Sequence, residues 1–158
     1  MLSGCCLQLA VAVIEGSSPT PPPSVLPSAL QFCWFAKYYA FNNWARIVDF
    51  SNGANSDNII IANVASSREL TFSLRIGSAG TELRTRLDLA EGAFQHYCAR
   101  IDHTGTATIF QQGVQVSQKG SMNVPKVMSR AVNYIGESAW ANDAFFEGGE
   151  KLAVGAGQ

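Results

Sequence analysis

The stretch FQHYCARIDHTGTATIFQQGVQV, running from Phe94 to Val116, decides the fold. Phe94 to Asp102 and Thr106 to Gln112 are apolar-rich runs separated by His103-Thr104-Gly105, and Gln111-Gln112-Gly113 divides the second run from Val114-Gln115-Val116. That pattern predicts a three-strand antiparallel meander.

Strand signals continue on the N-terminal side. Leu70 to Ile76 alternates, with Phe72, Leu74 and Ile76 on one face and Thr71, Ser73 and Arg75 on the other. Thr81 to Leu89 places Leu83, Leu87 and Leu89 inward against Glu82, Arg84, Arg86 and Asp88, which reads as a half-buried strand with a salt-laced outer face. Trp44 to Phe50 and Asn58 to Val64 add two more strands. Ile59-Ile60-Ile61 is apolar on both faces, as a central strand in a two-sheet stack would be. Helical periodicity is nearly absent, and only Ala90 to Phe94 has room for a single turn. Many short strands divided by Gly and Asn/Asp turns predict an all-β antiparallel sandwich or barrel.

Composition agrees with one domain. A chain of 158 residues, 47% apolar and 15% charged, can bury about two-thirds of its unfolded surface. The formal net charge of -1 and the lack of a Lys/Arg cluster argue against nucleic acid as a partner. No apolar stretch approaches the roughly 20 residues a membrane-spanning helix needs, so membrane insertion is not expected.

The first 28 residues read differently from the rest. Leu7 to Ile14 is apolar but has no Lys or Arg before it, a weak or truncated form of a secretory signal. Leu2-Ser3-Gly4-Cys5 matches a lipoprotein cleavage box by chance, since no apolar segment precedes it. Glu15 to Ser28 is Pro/Ser-rich and reads as an extended spacer. The expected organisation is a leader and spacer over residues 1–28 and a folded domain over 29–158. Of the four cysteines, Cys5 and Cys6 precede the domain, while Cys33 and Cys98 fall in apolar strand patterns where a reduced, buried thiol is the usual occupant. A Cys33–Cys98 disulfide is the other reading. The absence of CxxC or Cys/His ligand spacing argues against zinc.

Two polar constellations stand out. Between the strands of Trp44–Phe50 and Asn58–Val64, the residues Asp49, Asn52, Asn55, Asp57 and Asn58 gather hard oxygen atoms within ten positions. Such a set could ligate calcium, with Asp49, Asp57 and Asn58 as metal ligands. The same residue types also build turns by capping local backbone and tolerating positive φ. The second constellation, Asn133 to Asp143, sets Trp140 beside Asn142 and Asp143. A ring face can pack on sugar C–H groups while amides and carboxylates take the hydroxyls. Trp140 as a core plug is the alternative.

Three blocks together, FNNWARIVDFSNGANSDNIIIANV (Phe41–Val64), the meander above and NYIGESAWANDAFFEG (Asn133–Gly148), resemble the laminin G-like branch of the concanavalin A-like lectin/glucanase superfamily. The resemblance covers about Leu30 to Gly149. It implies a jelly-roll sandwich of two antiparallel sheets that binds glycans or proteins outside cells or at the cell surface, and it puts Trp140, Asn142 and Asp143 in a loop between late strands. Departures are visible too: strands expected before Leu30 are replaced by the leader, the final strand is reduced to the Gly-rich Glu150–Gln158, and the usual Asn-Gly turn is Gln112-Gly113. The copy therefore reads as incomplete at both ends, with strand edges open to self-association.

Glucanases of this superfamily carry Glu-x-Asp-x-x-Glu on one strand, and no such triplet exists here. His96 and His103 have no nucleophile partner, and His103 in a hairpin turn should face solvent. No catalytic residue is assigned. The expected function is a non-catalytic module binding a glycan or an extracellular protein through Asn52, Asn55, Trp140, Asn142 and Asp143. The alternative is a structural or degenerate piece of a larger surface protein with no ligand of its own.

Overall fold

The computed structural model describes residues 29–86 and 89–157. Among the described residues ten strands follow one another: β1 Ala29–Tyr38, β2 Arg46–Ser51, β3 Ile59–Asn63, β4 Leu70–Ile76, β5 Ala79–Arg84, β6 Gln95–Asp102, β7 Ala107–Gln111, β8 Val114–Lys119, β9 Val132–Ile135 and β10 Gly148–Gly157. They form two five-stranded sheets, ordered β10-β1-β6-β7-β8 and β5-β4-β3-β2-β9, and every strand pair is antiparallel. The sheets face each other across one core, the two-layer arrangement of a jelly-roll sandwich. Among the described residues no helix is long and apolar enough to cross a membrane.

The period of two explains the core. Phe32, Trp34, Ala36 and Tyr38 of β1, Tyr97, Ala99 and Ile101 of β6, and Ala107 and Ile109 of β7 all point inward from the first sheet. They meet Val48, Ile59, Ile61, Leu70, Phe72, Leu74 and Leu83 of the second. Trp34 stacks on Tyr97 with ring centroids 5.6 Å apart. Burying each such large side chain contributes about 1.5–3 kcal/mol, so the alternating strands carry most of the driving force. β3 is buried at all five positions, as its double-faced apolar run predicts.

The meander forms as β6-β7-β8. Its second turn is a two-residue hairpin in which Gln112 and Gly113 have φ of +51° and +77°. Both central residues of a type I′ turn need positive φ, a twist that matches the flanking strands.

Several expectations need correction. Ala90–Phe94 makes no helical turn: Gly92 has φ +78° and donates its N–H to the Tyr38 carbonyl at 2.9 Å, and Glu91 bridges to Tyr38. Backbone pairing with the end of β1 outcompetes a lone turn. The final strand, expected only as a reduced Glu150–Gln158, begins at Gly148 and pairs with β1 at every position from Ala29↔Gly157 to Tyr38↔Gly148. Ladder bonds belong to the backbone, so a Gly-rich composition weakens a strand without forbidding it.

The reduced-thiol reading of Cys33 and Cys98 is overturned as well. The two residues are register partners on β1 and β6 with Cα atoms 4.1 Å apart, and they form a disulfide. They lie on the outer face of the first sheet, in the positions between Phe32 and Trp34 and between Tyr97 and Ala99, so the apolar character of their neighbours did not mean that they were core themselves. The strand expected over Thr81–Leu89 stops short, because β5 ends at Arg84; Leu83 is buried within it, and Leu89 is buried beyond it with its N–H donated to the Arg68 carbonyl at 2.7 Å. Leu87 and Asp88 lie outside the described residues, as do the leader and spacer of residues 1–28 with Cys5 and Cys6.

Candidate functional site

β2 carries the bulge on which the site is built. Arg46 pairs with Ala62 and Val48 with Ile61, so two residues of β2 oppose one step of β3 between them. The extra residue sends Ile47 and Val48 together into the core and leaves Arg46 and Asp49 on the outer face of the second sheet. Thr71, Ser73 and Arg75 of β4 and Glu82 of β5 alternate onto the same face.

A loop after β9 folds over this face. Gly136 donates to the Ile47 carbonyl at 3.1 Å, Ala144 to Asn43 at 2.8 Å and Phe146 back to Gly136 at 3.0 Å, which pins the loop at both ends. In its middle the Ala139 N–H donates to Asp49 Oδ2 at 3.0 Å. The Asp49 carboxyl, fully buried, also accepts from Asn58 Nδ2 at 3.3 Å. Burial raises its pKa above the ordinary aspartate range, against the opposing effect of these donors and of Arg46.

Arg46 is the centre of the arrangement. It donates to Asp143 Oδ2 at 2.5 Å, and Ser138 Oγ donates to that same oxygen at 2.8 Å. The side chains of Arg46 and Asp143 are only 7% and 11% exposed, so little water screens the pair. Burial lowers the guanidinium pKa while Asp143 and Asp49 hold it up; an arginine stays charged under such shifts. Its carbon lies 5.0 Å from the Trp140 ring centroid and 5.8 Å from that of Trp44, so two indoles flank one cation. Trp44 has φ +53°, a left-handed conformation rare for a bulky residue and held here by its N–H bond to Ala65.

Beside these groups opens a cleft of about 280 Å³, lined by Trp44, Arg46, Ile60, Thr71, Ser73, Arg75, Glu82, Trp140 and Asp143. Thr71 is 1% exposed and its Oγ1 has no hydrogen-bond partner. Arg75 donates Nη1 to the Ser78 carbonyl at 2.7 Å, and its buried Nε is unpartnered. Buried polar atoms left unpaired are costly, and both residues line the cleft.

Of the residues singled out in the sequence, the structure brings Trp140 and Asp143 to the cleft. Trp140 is half-buried and lies over a cation at the cleft wall, not in the core. Asn142 is exposed in the same loop, but the cleft lining does not include it. Asn52 and Asn55 belong to the β2–β3 turn instead. Asn52 Oδ1 accepts from Ala131, its backbone N–H reaches Ser56, and Asn55 has φ +57°.

Asp49, Asp57 and Asn58, the calcium candidates, take up backbone and side-chain bonds around the β2–β3 turn. Asp57 Oδ1 accepts from the Gly77 N–H of the β4–β5 turn at 2.8 Å. Asn58 directs its N–H2 group at both Asp49 Oδ1 and the Gly53 carbonyl, while its buried Oδ1 has no hydrogen-bond partner.

Trp44, Arg46, Thr71, Ser73, Arg75 and Glu82 were not identified as site residues from the sequence. Their one signal was the alternation that set Thr71, Ser73 and Arg75 on the polar face of their strand. His103 is exposed, as expected of a turn, and Glu82 pairs with Arg84 at 2.7 Å on the outer face.

A family model described as the concanavalin A-like lectin/glucanases superfamily, of laminin G type, matches residues 17–149. The chain belongs to this laminin G-like family. The Ruminococcus gnavus IT-sialidase CBM40 bound to α2,3 sialyllactose is similar in structure, with a TM-score of 0.63 at 9% identity over 79% of this chain and 75% of that one. The same CBM40 without a named ligand gives 0.62 at 10% identity, over 80% and 76%. A heptameric SAP-like pentraxin from Limulus polyphemus gives 0.57 at 18% identity, over 80% of this chain and 63% of the pentraxin. At these identities the likeness is one of fold. No curated protein matches the chain.

Proposed function

We propose that this laminin G-like domain is a non-catalytic binding module that takes a glycan in the cleft between Trp44 and Trp140. The observation that carries the reading is the cleft's chemistry: two indole rings at the wall, with the unpartnered Thr71 Oγ1 and Arg75 Nε beside them. Ring faces suit pyranose C–H surfaces, and unpaired polar atoms suit hydroxyls. Arg75 adds a cation that favours a carboxylate-bearing sugar over a neutral one. Both acids at the cleft are engaged, Asp143 with Arg46 and Glu82 with Arg84, which supports binding without hydrolysis. The Cys33–Cys98 disulfide supports an extracellular or cell-surface setting.

The test is calorimetric titration with neutral and carboxylated oligosaccharides chosen from a glycan array. A shallow polar site must displace water for a small net gain per hydrogen bond, so dissociation constants on the order of 10 μM to 1 mM are expected. Trp140→Ala should weaken binding by about tenfold, the cost of one lost platform contact of ~1.4 kcal/mol, while the protein still melts cooperatively. An array without a binder, together with a Trp140→Ala protein that does not fold, would instead identify a structural domain with no ligand of its own.

A further inference from the structure

The outer face of the first sheet, on the opposite side of the sandwich from the cleft, carries a second constellation. Cys33 of β1 and Cys98 of β6 are register partners, and His96 lies two residues before Cys98 on the same face of β6. The His96 Nε2 is 3.6 Å from Cys98 Sγ, and the ligand atoms of Cys33, His96 and Cys98 all lie within 4.8 Å of one another. The ring of Phe35, itself 48% exposed, packs against the His96 imidazole with centroids 4.8 Å apart. Gln31 Nε2 donates to Cys33 Sγ at 3.1 Å.

We propose that Cys33, Cys98 and His96 form a redox-gated metal site, closed as a disulfide and open, once reduced, to a soft divalent cation of the zinc type. Two thiolates and an imidazole are a ligand set that zinc favours, with a solvent molecule completing a tetrahedron. Bonds of about 2.3 Å to sulfur and 2.0 Å to nitrogen put two tetrahedral ligands about 3.5 Å apart, the separation that His96 and Cys98 already show. Phe35 fixes the ring, and the Gln31 amide is placed to donate to a thiolate, the outer contacts such a site requires. Spacing along the chain concealed the set, because Cys33 reaches it only through the β1–β6 register.

The chemistry balances with a dithiol reductant. Its thiolate attacks one sulfur of the Cys33–Cys98 bond, forming a mixed disulfide and releasing the other cysteine. Its second thiolate then displaces the first-attacked cysteine. Two electrons and two protons pass to the cysteines, and the reductant leaves as a cyclic disulfide. Binding of the cation to the reduced pair expels the two thiol protons. The three side chains would thus clamp two strands in an oxidising compartment and hold a metal in a reducing one.

The experiment titrates Co2+ into the full chain, oxidised and after reduction with a phosphine that is then removed under anaerobic conditions. Thiolate-to-cobalt absorption and competition by Zn2+ are the readouts. The oxidised chain should show no band and the reduced chain one equivalent, displaced by Zn2+. His96→Ala should weaken binding by at least about tenfold, the loss that removing even a ligand's outer partner can bring. Cys33→Ser should lose most of the band, whereas a Cys5→Ser, Cys6→Ser double variant should keep it. Three results would overturn the proposal: a reduced chain without the band, a band that survives in Cys33→Ser but not in the Cys5/Cys6 variant, or a reduced chain that unfolds and binds equally with and without His96.

Discussion

Gly105 sits in the β6–β7 turn at φ +81°, and a Cβ there would lie 2.6 Å from the Met122 carbonyl oxygen. Its own carbonyl accepts from the Met122 N–H at 2.9 Å, so two backbones meet at this point. Gly105→Ala should therefore cost about 1–3 kcal/mol, read as a lower urea midpoint with an unchanged slope. The same turn is organised by Asp102, whose Oδ1 accepts from Thr104 N–H and Oγ1 and from Thr106 N–H. The Thr104 hydroxyl first, then the Thr106 amide, holds this carboxylate below the ordinary aspartate value. Because the folded pKa is the lower one, the contribution is present above the unfolded value and disappears as pH falls through the folded value. The amide resonances of Thr104 and Thr106 should titrate together with a midpoint below that of a free aspartate. A midpoint at or above the free value would contradict the assignment.

At the scale of elements, the site depends on one loop laid over one sheet face, and Asp49 is the pin. Its two carboxyl oxygens serve different elements, Oδ1 the β2–β3 turn through Asn58 and Oδ2 the post-β9 loop through Ala139. Asp49→Ala strands both donors and should destabilise the domain by about 1–3 kcal/mol. The change should also shift tryptophan fluorescence as Trp140 moves with its loop. Unaltered stability and emission would show that the loop holds without it. Melting curves in calcium and in chelator test the metal reading, because a cation bound here would have to displace the Gly77 N–H from Asp57 Oδ1. A calcium-dependent rise in Tm abolished by Asp57→Ala would establish the metal reading, and coincident curves would remove it.

For the whole molecule, the Cys33–Cys98 disulfide joins positions 65 residues apart in the chain. Closing a loop of that length restrains the unfolded ensemble, and reduction should lower stability by about 2–4 kcal/mol. Denaturant unfolding with and without a phosphine reductant measures this directly. A difference under about 0.5 kcal/mol would mean that the β1–β6 ladder holds the sheet by itself. The disulfide lies on the outer face, so Trp34, Tyr97 and the rest of the core should keep their near-ultraviolet signal after reduction.

The sequence by itself determined the strand-rich sandwich. Alternation in Leu70–Ile76, the all-apolar Ile59-Ile60-Ile61 and the two-residue Gln112-Gly113 turn are local features, and the period of two converts them into faces without reference to distant residues. It also marked Trp140 and Asp143, because an aromatic beside polar groups is visible in one segment. What tertiary structure alone decided is everything that depends on register between distant strands. The pairing of Cys33 with Cys98 and His96, the full ladder of β10 on β1, and the bulge that turns Arg46 outward all arise from which strand lies beside which. Thr71, Ser73 and Arg75 were legible as an outward face, but a face becomes a cleft only when Gly136–Ala144 closes over it. That closure rests on bonds between residues some 90 positions apart, Asp49 to Ala139 and Arg46 to Ser138. Neither segment's composition announces such a contact.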